Sequence, residues 1–292
     1  MLSIVICSRA QPVLQEISKN VAATIGVPYE IIAIDNSGGK YSIFQAYNLG
    51  ISQSKYEYLC FMHEDIAFET QNWGQKVLEA FAANPKLGLL GVAGSSYKPA
   101  VPSGWSFDSS CDKTTYINII QHYKSKSASN KIYSNPRNER ISPVVSVDGV
   151  WFCTTREAVD KIKFDEATFA GFHCYDVDFS LSVLQHYEVA VTFEVLINHF
   201  SEGSFDDSWT TETLKLHDKW RHLFPVNLAG LSAADSAREE FKAFHALLPK
   251  LVGKAPLCRA VAQALWQGGV RTLVGAQKFA VMNLLLLKKG LA

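Results

Sequence analysis

Short apolar runs alternate along the chain with stretches whose apolar residues recur every three or four positions. Residues 3–7 form the first run; Pro12 then opens a helix that Gly26 ends. Residues 30–35 form a second run, closed by the polar turn Asn36-Ser37-Gly38-Gly39. Phe44, Tyr47 and Ile51 have helical spacing, as do Trp73, Val77, Leu78 and Phe81, with Pro85 just beyond. Residues 57–62 and 87–93 read as strands. Residues 95–140 lack periodicity and read as an irregular insertion with one short strand near 116–120. A strand over 143–154 is interrupted at Asp148-Gly149, and a helix over 176–187 precedes a strand over 189–196. Beyond Trp209 the pattern is helical. The alternation predicts an α/β fold with a mostly parallel sheet flanked by helices and a C-terminal helical extension.

Ligands of such sheets sit at the carboxyl ends of the strands. Three polar groups follow directly on predicted strands: Ser8-Arg9, Asp35-Asn36 and His63-Glu64-Asp65. A carboxylate at Asp65 can hold a divalent cation against a diphosphate, because hard cations prefer oxygen; the competing reading is a helix cap. His199 ends an apolar run and precedes a loop, residues 200–205, whose backbone N–H groups can face phosphates; the competing reading is a structural histidine. Asp176 and Asp178 begin a helix, where negative charge is favoured by the helix dipole alone. Residues two apart face different ways, so one can cap while the other faces a cleft.

Charge narrows the partners. Lys plus Arg number 28 and Asp plus Glu number 28, a balance that argues against a dedicated nucleic-acid binder. No two of the six cysteines form a C-x-x-C pair, which argues against a zinc site. Cys7, Cys60 and Cys153 lie in apolar runs and read as small buried hydrophobes, as in a reducing compartment. No basic segment precedes the first apolar run, and no uninterrupted apolar run reaches the roughly 20 residues that cross a bilayer. Residues 251–292 contain no acidic residue but carry Lys254, Arg259, Arg271, Lys278, Lys288 and Lys289. Arg259, Gln263, Gln267 and Arg271 fall four apart, as one polar stripe. A basic amphipathic tail can lie on a membrane surface or dock on protein. The chain is therefore expected to be cytoplasmic, with peripheral contact at the inner face of the membrane through 251–292. Trp209 and Trp220 read as packing residues, and His122, His186 and His217 show no partner pattern.

In order, these segments resemble the family 2-like glycosyltransferases with a GT-A fold, over roughly residues 1–205. SIVICSR resembles the start of their nucleotide site, and FQAYNLGI their A-x-N-x-G helix. EYLCFMHED resembles the strand bearing the metal-binding D-x-D motif. VDGVWFCTTREAV resembles the acceptor-side strand, and YDVDFSL the E-D-x-D-[LF]-S-L segment that supplies the base.

The resemblance implies a GT-A glycosyltransferase domain over 1–225 and a C-terminal helical extension over 226–292. It implies a nucleotide-sugar site formed by Ser8, Arg9, Asp35, Asn48, Glu64, Asp65 and Asp148. Asp65 and His199 would hold a divalent cation, Mn²⁺ or Mg²⁺, and Asp176 would be the general base. Two positions depart from the pattern. His63 stands where the first Asp of D-x-D is expected, which loses a carboxylate, and Tyr175 replaces the Glu before the base. No Q-x-x-R-W segment occurs, which argues against a processive polysaccharide synthase. The implied reaction is inverting transfer from a nucleotide-diphosphate sugar to the hydroxyl of a glycan or lipid-linked acceptor, in surface-polysaccharide or glycan synthesis. The alternative is a non-catalytic nucleotide-sugar-binding partner or scaffold of the same fold. A nucleotidyltransferase fits less well, because no glycine follows the first strand.

Overall fold

The computed structural model describes residues 1–107, 113–123, 129–203 and 205–291. Cys111 and Ser204 lie outside them. The strands, numbered along the chain, are β1 (Leu2–Ser8), β2 (Tyr29–Asp35), β3 (Tyr58–Met62), β4 (Ile66–Phe68), β5 (Leu87–Gly91), β6 (Ala93–Ser95), β7 (Tyr97–Lys98) and β8 (Thr115–Gln121). They continue as β9 (Asn130–Ser134), β10 (Ile141–Pro143), β11 (Ser146–Val147), β12 (Trp151–Thr155), β13 (Glu188–Thr192), β14 (Ile197–His199) and β15 (Val226–Asn227). The helices are α1 (Gln11–Thr24), α2 (Ile43–Gln53), α3 (Trp73–Ala83), α4 (Arg156–Lys161), α5 (Tyr175–Leu184) and α6 (Asp207–Lys219). After them come α7 (Ala233–Leu247), α8 (Ala255–Gln267), α9 (Val270–Val274) and α10 (Ala276–Leu291).

The main sheet has seven strands in the order β10-β13-β5-β12-β3-β1-β2. It is mixed, which corrects the expectation of a mostly parallel sheet. β1 runs parallel to β2 and β3, and β13 parallel to β5. β12 runs antiparallel to both β3 and β5, and β10 antiparallel to β13. The reversal has a simple cause. After β5 the chain builds a second sheet and re-enters beside the end of β3, where Trp151 pairs with Met62.

That second sheet runs β11-β6-β8-β14-β4, with β9 beside β8. The stretch expected to be irregular therefore holds more than one strand. β9 escapes a pattern search because it lies at the sheet's edge and alternates poorly; its residues are mostly exposed. The run over 87–93 also divides, since β5 belongs to one sheet and β6 to the other.

Both faces of the main sheet are covered, so its strands are apolar on both sides. Val5, Phe61 and Phe152 pack with Phe44 and Tyr47 of α2 and Phe179 of α5. Ile4, Ile6 and Trp151 pack on the other face with Ile17 of α1 and Trp73 and Val77 of α3. Ser42 and Gln45 form a reciprocal capping box that starts α2. Gly50 lets that helix lie on β1, for a Cβ there would sit 2.2 Å from Val5 Cγ1.

Cys60 and Cys153 face each other across β3 and β12 and form a disulfide. Both are buried, as expected, but they are bonded to each other rather than free. The cysteine argument for a reducing compartment therefore falls. Cys7, Cys174 and Cys258 are free thiols.

A third apolar cluster joins Ala100, Val101 and Trp209 to α7, α8, α9 and α10. α8 ends before Gly269, a left-handed residue, so Arg271 sits on a separate short helix. The single polar stripe expected across Arg259–Arg271 is thereby broken. The junction with these helices is tied by Glu240, whose buried carboxylate accepts from Tyr97 Oη and from the amides of Ala100 and Val101. Beside it Lys98 is wholly buried, and its Nζ contacts Ser103, Gly104 and His217. Burial pushes its ammonium down to about 7. Trp209 and Trp220 are 9% exposed, in keeping with packing roles.

Glu240→Ala orphans three donors at this junction. It should lower stability by about 2–4 kcal/mol, read from the midpoint of urea unfolding.

Candidate active site

β3 ends at Met62, and His63, Glu64 and Asp65 form the turn that follows before β4 begins at Ile66. β14 then pairs antiparallel with β4, placing His199 opposite Ile66. Phe200 N donates to Asp65 O at 3.0 Å, locking the register. A histidine distant in sequence thus comes to lie beside Asp65. One donor atom from each of His63, Asp65 and His199 lies within 4.8 Å of the others, a group able to hold a metal ion. The sequence reading counts His63 as a lost carboxylate; in the fold it stands as a third donor.

Hydrogen bonds decide which ring nitrogens are open. Gln121 Nε2 faces the carbonyls of His122, His199 and Ser201, so its Oε1 is the atom presented to His199 Nδ1, at 3.0 Å. An amide oxygen only accepts, so Nδ1 carries the proton and Nε2 keeps its lone pair. A metal-binding histidine is usually oriented this way, by a partner on its other nitrogen. Ser201 Oγ is 3.3 Å from that Nε2. Burial holds the His63 imidazole below its ordinary pKa, against the pull of Asp65, so the ring is neutral at pH 7. Neutral imidazole is the form that binds metals. Gln121 lies in the stretch that read as irregular, and nothing in the sequence marked it.

Asp176 sits in the first turn of α5. Its Oδ2 accepts from Gly149 N at 3.0 Å and its Oδ1 from Val177 N at 2.8 Å. Burial, then the nearby Asp148 carboxylate, pushes Asp176 up to about 7. A carboxylate tuned this way is suited to taking a proton near neutral pH. Asp148 accepts from Val150 N at 2.7 Å. Asp178 is turned away, 1% exposed, and pairs with Lys219 at 2.7 Å and with Trp220 Nε1 at 2.7 Å. Of the two acids, one faces the cleft and the other fastens α5 to α6.

The nucleotide-side residues divide. Ser8 and Asp35 are neighbours at the ends of β1 and β2. Asp35 is exposed, and the Ser37 amide holds its carboxyl below the usual range. Glu64 accepts from Ser8 Oγ at 2.7 Å and from the amides of Arg9 and Ala10. It thereby caps α1, whose own N-cap, Ala10, offers no side-chain acceptor. Asn48 is not brought to this cleft's polar cluster: both ends of its amide bond the backbone of Phe164, at 2.9 and 3.0 Å.

No curated protein matches the chain. Among solved structures, residues 1–349 of S. aureus TarS in complex with UDP-GlcNAc share its fold at a TM-score of 0.60 and 11% identity, over 99% of this chain and 87% of that one. GalNAc-T7 with UDP, GalNAc and Mn²⁺ shares it at a TM-score of 0.52 and 12% identity, over 76% of this chain. The chain spans about half of that protein's length, 47%. At these identities the likeness establishes the fold, which is GT-A. The glycosyltransferase-like family matches residues 3–219, from the first strand to the end of α6. With most of its length so matched, the chain belongs to the glycosyltransferase-like family.

Proposed function

We propose that this protein transfers a sugar from a UDP-sugar or related nucleotide-diphosphate sugar to an acceptor hydroxyl, with inversion and with the help of a divalent cation. What supports this reading is the group His63, Asp65 and His199, linked through the Tyr175 phenol and Gly149 to the turn that carries the half-buried Asp176. UDP-GlcNAc in the TarS complex, and UDP with Mn²⁺ in that of GalNAc-T7, support the choice of donor and ion.

His63, Asp65 and His199 would hold the cation; when bound it stabilises the charge that builds on the leaving diphosphate. Ser8, Arg9 and Asp35 border the ends of β1 and β2, where the nucleoside would rest. Asp176 takes the acceptor's proton as its oxygen bonds the anomeric carbon. The bond from that carbon to the phosphate oxygen breaks, and the nucleoside diphosphate leaves with the electron pair. One displacement inverts the anomeric centre. Asp148 acts through its charge, which helps keep Asp176 a strong enough base. Two imidazoles and one carboxylate favour Mn²⁺ over Mg²⁺, which prefers oxygen donors.

Residues 226–292 are read as an appended helical extension that rests on the anionic surface of a membrane. No helix among the described residues is long and apolar enough to cross one. Val281, Leu284, Leu287 and Leu291 of α10 are exposed along one side, with Lys278, Lys288 and Lys289 on the same helix. An apolar row bordered by cations suits such an interface and places the catalytic unit near a lipid-linked acceptor.

UDP release from a panel of UDP-sugars should require Mn²⁺ and should rise with pH through about 7, because protonated Asp176 accepts nothing. Asp176→Asn should lower turnover by about 10²–10⁴-fold while UDP affinity, measured by calorimetry, stays within a few-fold. Full activity in that variant would remove Asp176 from the mechanism. Donor binding without turnover for every acceptor tried would favour a non-catalytic partner instead. Separately, the wild type should float with phosphatidylserine vesicles, and Leu284→Asp with Leu287→Asp should abolish flotation without changing the melting temperature. Equal flotation of both proteins would sink the membrane reading.

A further inference from the structure

The two departures from the family pattern touch. His63 Nε2 lies 2.7 Å from Tyr175 Oη, and Tyr175 Oη donates to Gly149 O at 3.0 Å. A phenol has one proton, and a carbonyl can only accept. Given to Gly149 O, that proton leaves the phenol oxygen as an acceptor for His63, with the ring proton on Nε2 and the lone pair on Nδ1. Nδ1 lies 3.8 Å from Asp65 Oδ1. That is too long for a hydrogen bond, yet two ligand bonds of about 2.0–2.2 Å to a common ion can span it.

The phenol oxygen is held in place between its two partners. Its ring is 4% exposed as a residue and is held edge-on by Phe44 and Tyr47, at centroid distances of 6.4 and 5.5 Å. Gly149 leaves just enough room: a Cβ there would meet Tyr175 Oη at 2.1 Å. The glycine that breaks the strand thus serves a contact with the metal-side histidine. The same residue's amide donates to Asp176, so a single turn supports both halves of the site.

We infer that Tyr175 is a positioning residue that fixes His63 in its Nε2–H tautomer and presents Nδ1 as a ligand beside Asp65 and His199. The inference rests on the cation-dependent reading above. It makes the two replacements one unit. A histidine stands in for a metal-binding carboxylate, and a tyrosine in place of the neighbouring Glu supplies the acceptor that such a histidine needs. Gln121 does for His199 what Tyr175 does for His63, through the opposite ring nitrogen.

The test begins with metal-free, ¹⁵N-histidine-labelled protein, where His63 should appear as the Nε2–H tautomer. Its resonance is assigned by its loss in His63→Asn. Tyr175→Phe keeps the ring and should give a tautomer mixture. The same variant should bind Mn²⁺ about 10–100-fold more weakly, followed by the electron paramagnetic resonance of free Mn²⁺. In a His63→Asn background it should add less than about twofold, since Tyr175 acts through His63. An Nδ1–H tautomer in the wild type overturns the inference without recourse to any variant. So does an equal loss of Mn²⁺ affinity in both backgrounds, or no loss in either while the wild type binds normally. Failure of the wild type to bind Mn²⁺ at all would instead bring down the cation reading together with this one.

Discussion

The pairing of β14 with β4 is the constraint on which the candidate site depends. These are two three-residue strands, and neither belongs to the main sheet. Their register sets His199 opposite Ile66, and the bond from Phe200 N to Asp65 O extends that pairing into the turn. A slip of one residue would turn the imidazole to the other face of the sheet. β14 also runs parallel to β8, with His199 beside Gln121. One short strand therefore delivers the histidine both to its carboxylate neighbour and to the amide that orients it.

Around this pairing nearly every polar group has a fixed assignment. Glu64 is taken by the β1–α1 turn, Asp178 by Lys219 and Trp220, Asn48 by Phe164, and the Tyr175 phenol by Gly149. Among the described residues, the groups left to the candidate site are the Asp65 carboxylate, one nitrogen on each histidine, and Asp176, which accepts two backbone amides. A low-dielectric surrounding raises the stakes for each of these, because charges placed there are poorly screened by water. The shift of Asp176 and the neutrality of His63 have that common origin in burial.

Much of the architecture was legible because covered strands and amphipathic helices carry strong periodic signals. β1, β2, β3 and α1 to α3 fall where apolar spacing places them, and Pro12 and Gly26 mark the ends of α1. The direction of β12 was not legible. Its residues would read the same in a parallel strand, and only the path of the preceding sixty or so residues reverses it. β9 was missed because an edge strand needs no apolar alternation. For the candidate site, motif order led to the expectation of Asp65, His199 and Asp176, and the fold sets Asp65 beside His199. The roles of His63, Gln121 and Gly149 did not follow from motif order, since each depends on a contact between remote segments. The cysteine pair was hidden for the same reason: Cys60 and Cys153 are 93 residues apart and meet only once β12 has been laid against β3.

Glu64 carries a lesson for anyone wishing to redesign this protein. Its carboxylate reaches out of the turn that bears Asp65 and grips Ser8, Arg9 and Ala10 on the neighbouring turn. The two turns are thus mechanically one piece, though 55 residues separate Arg9 from Glu64. A graft that replaced residues 8–10 alone, to alter which substrate is admitted, would keep the two backbone amides but lose the Ser8 hydroxyl unless that position stays a donor. Position 8 has to remain a hydroxyl, and positions 9 and 10 must not become proline, for the carboxylate at 64 to keep all its donors.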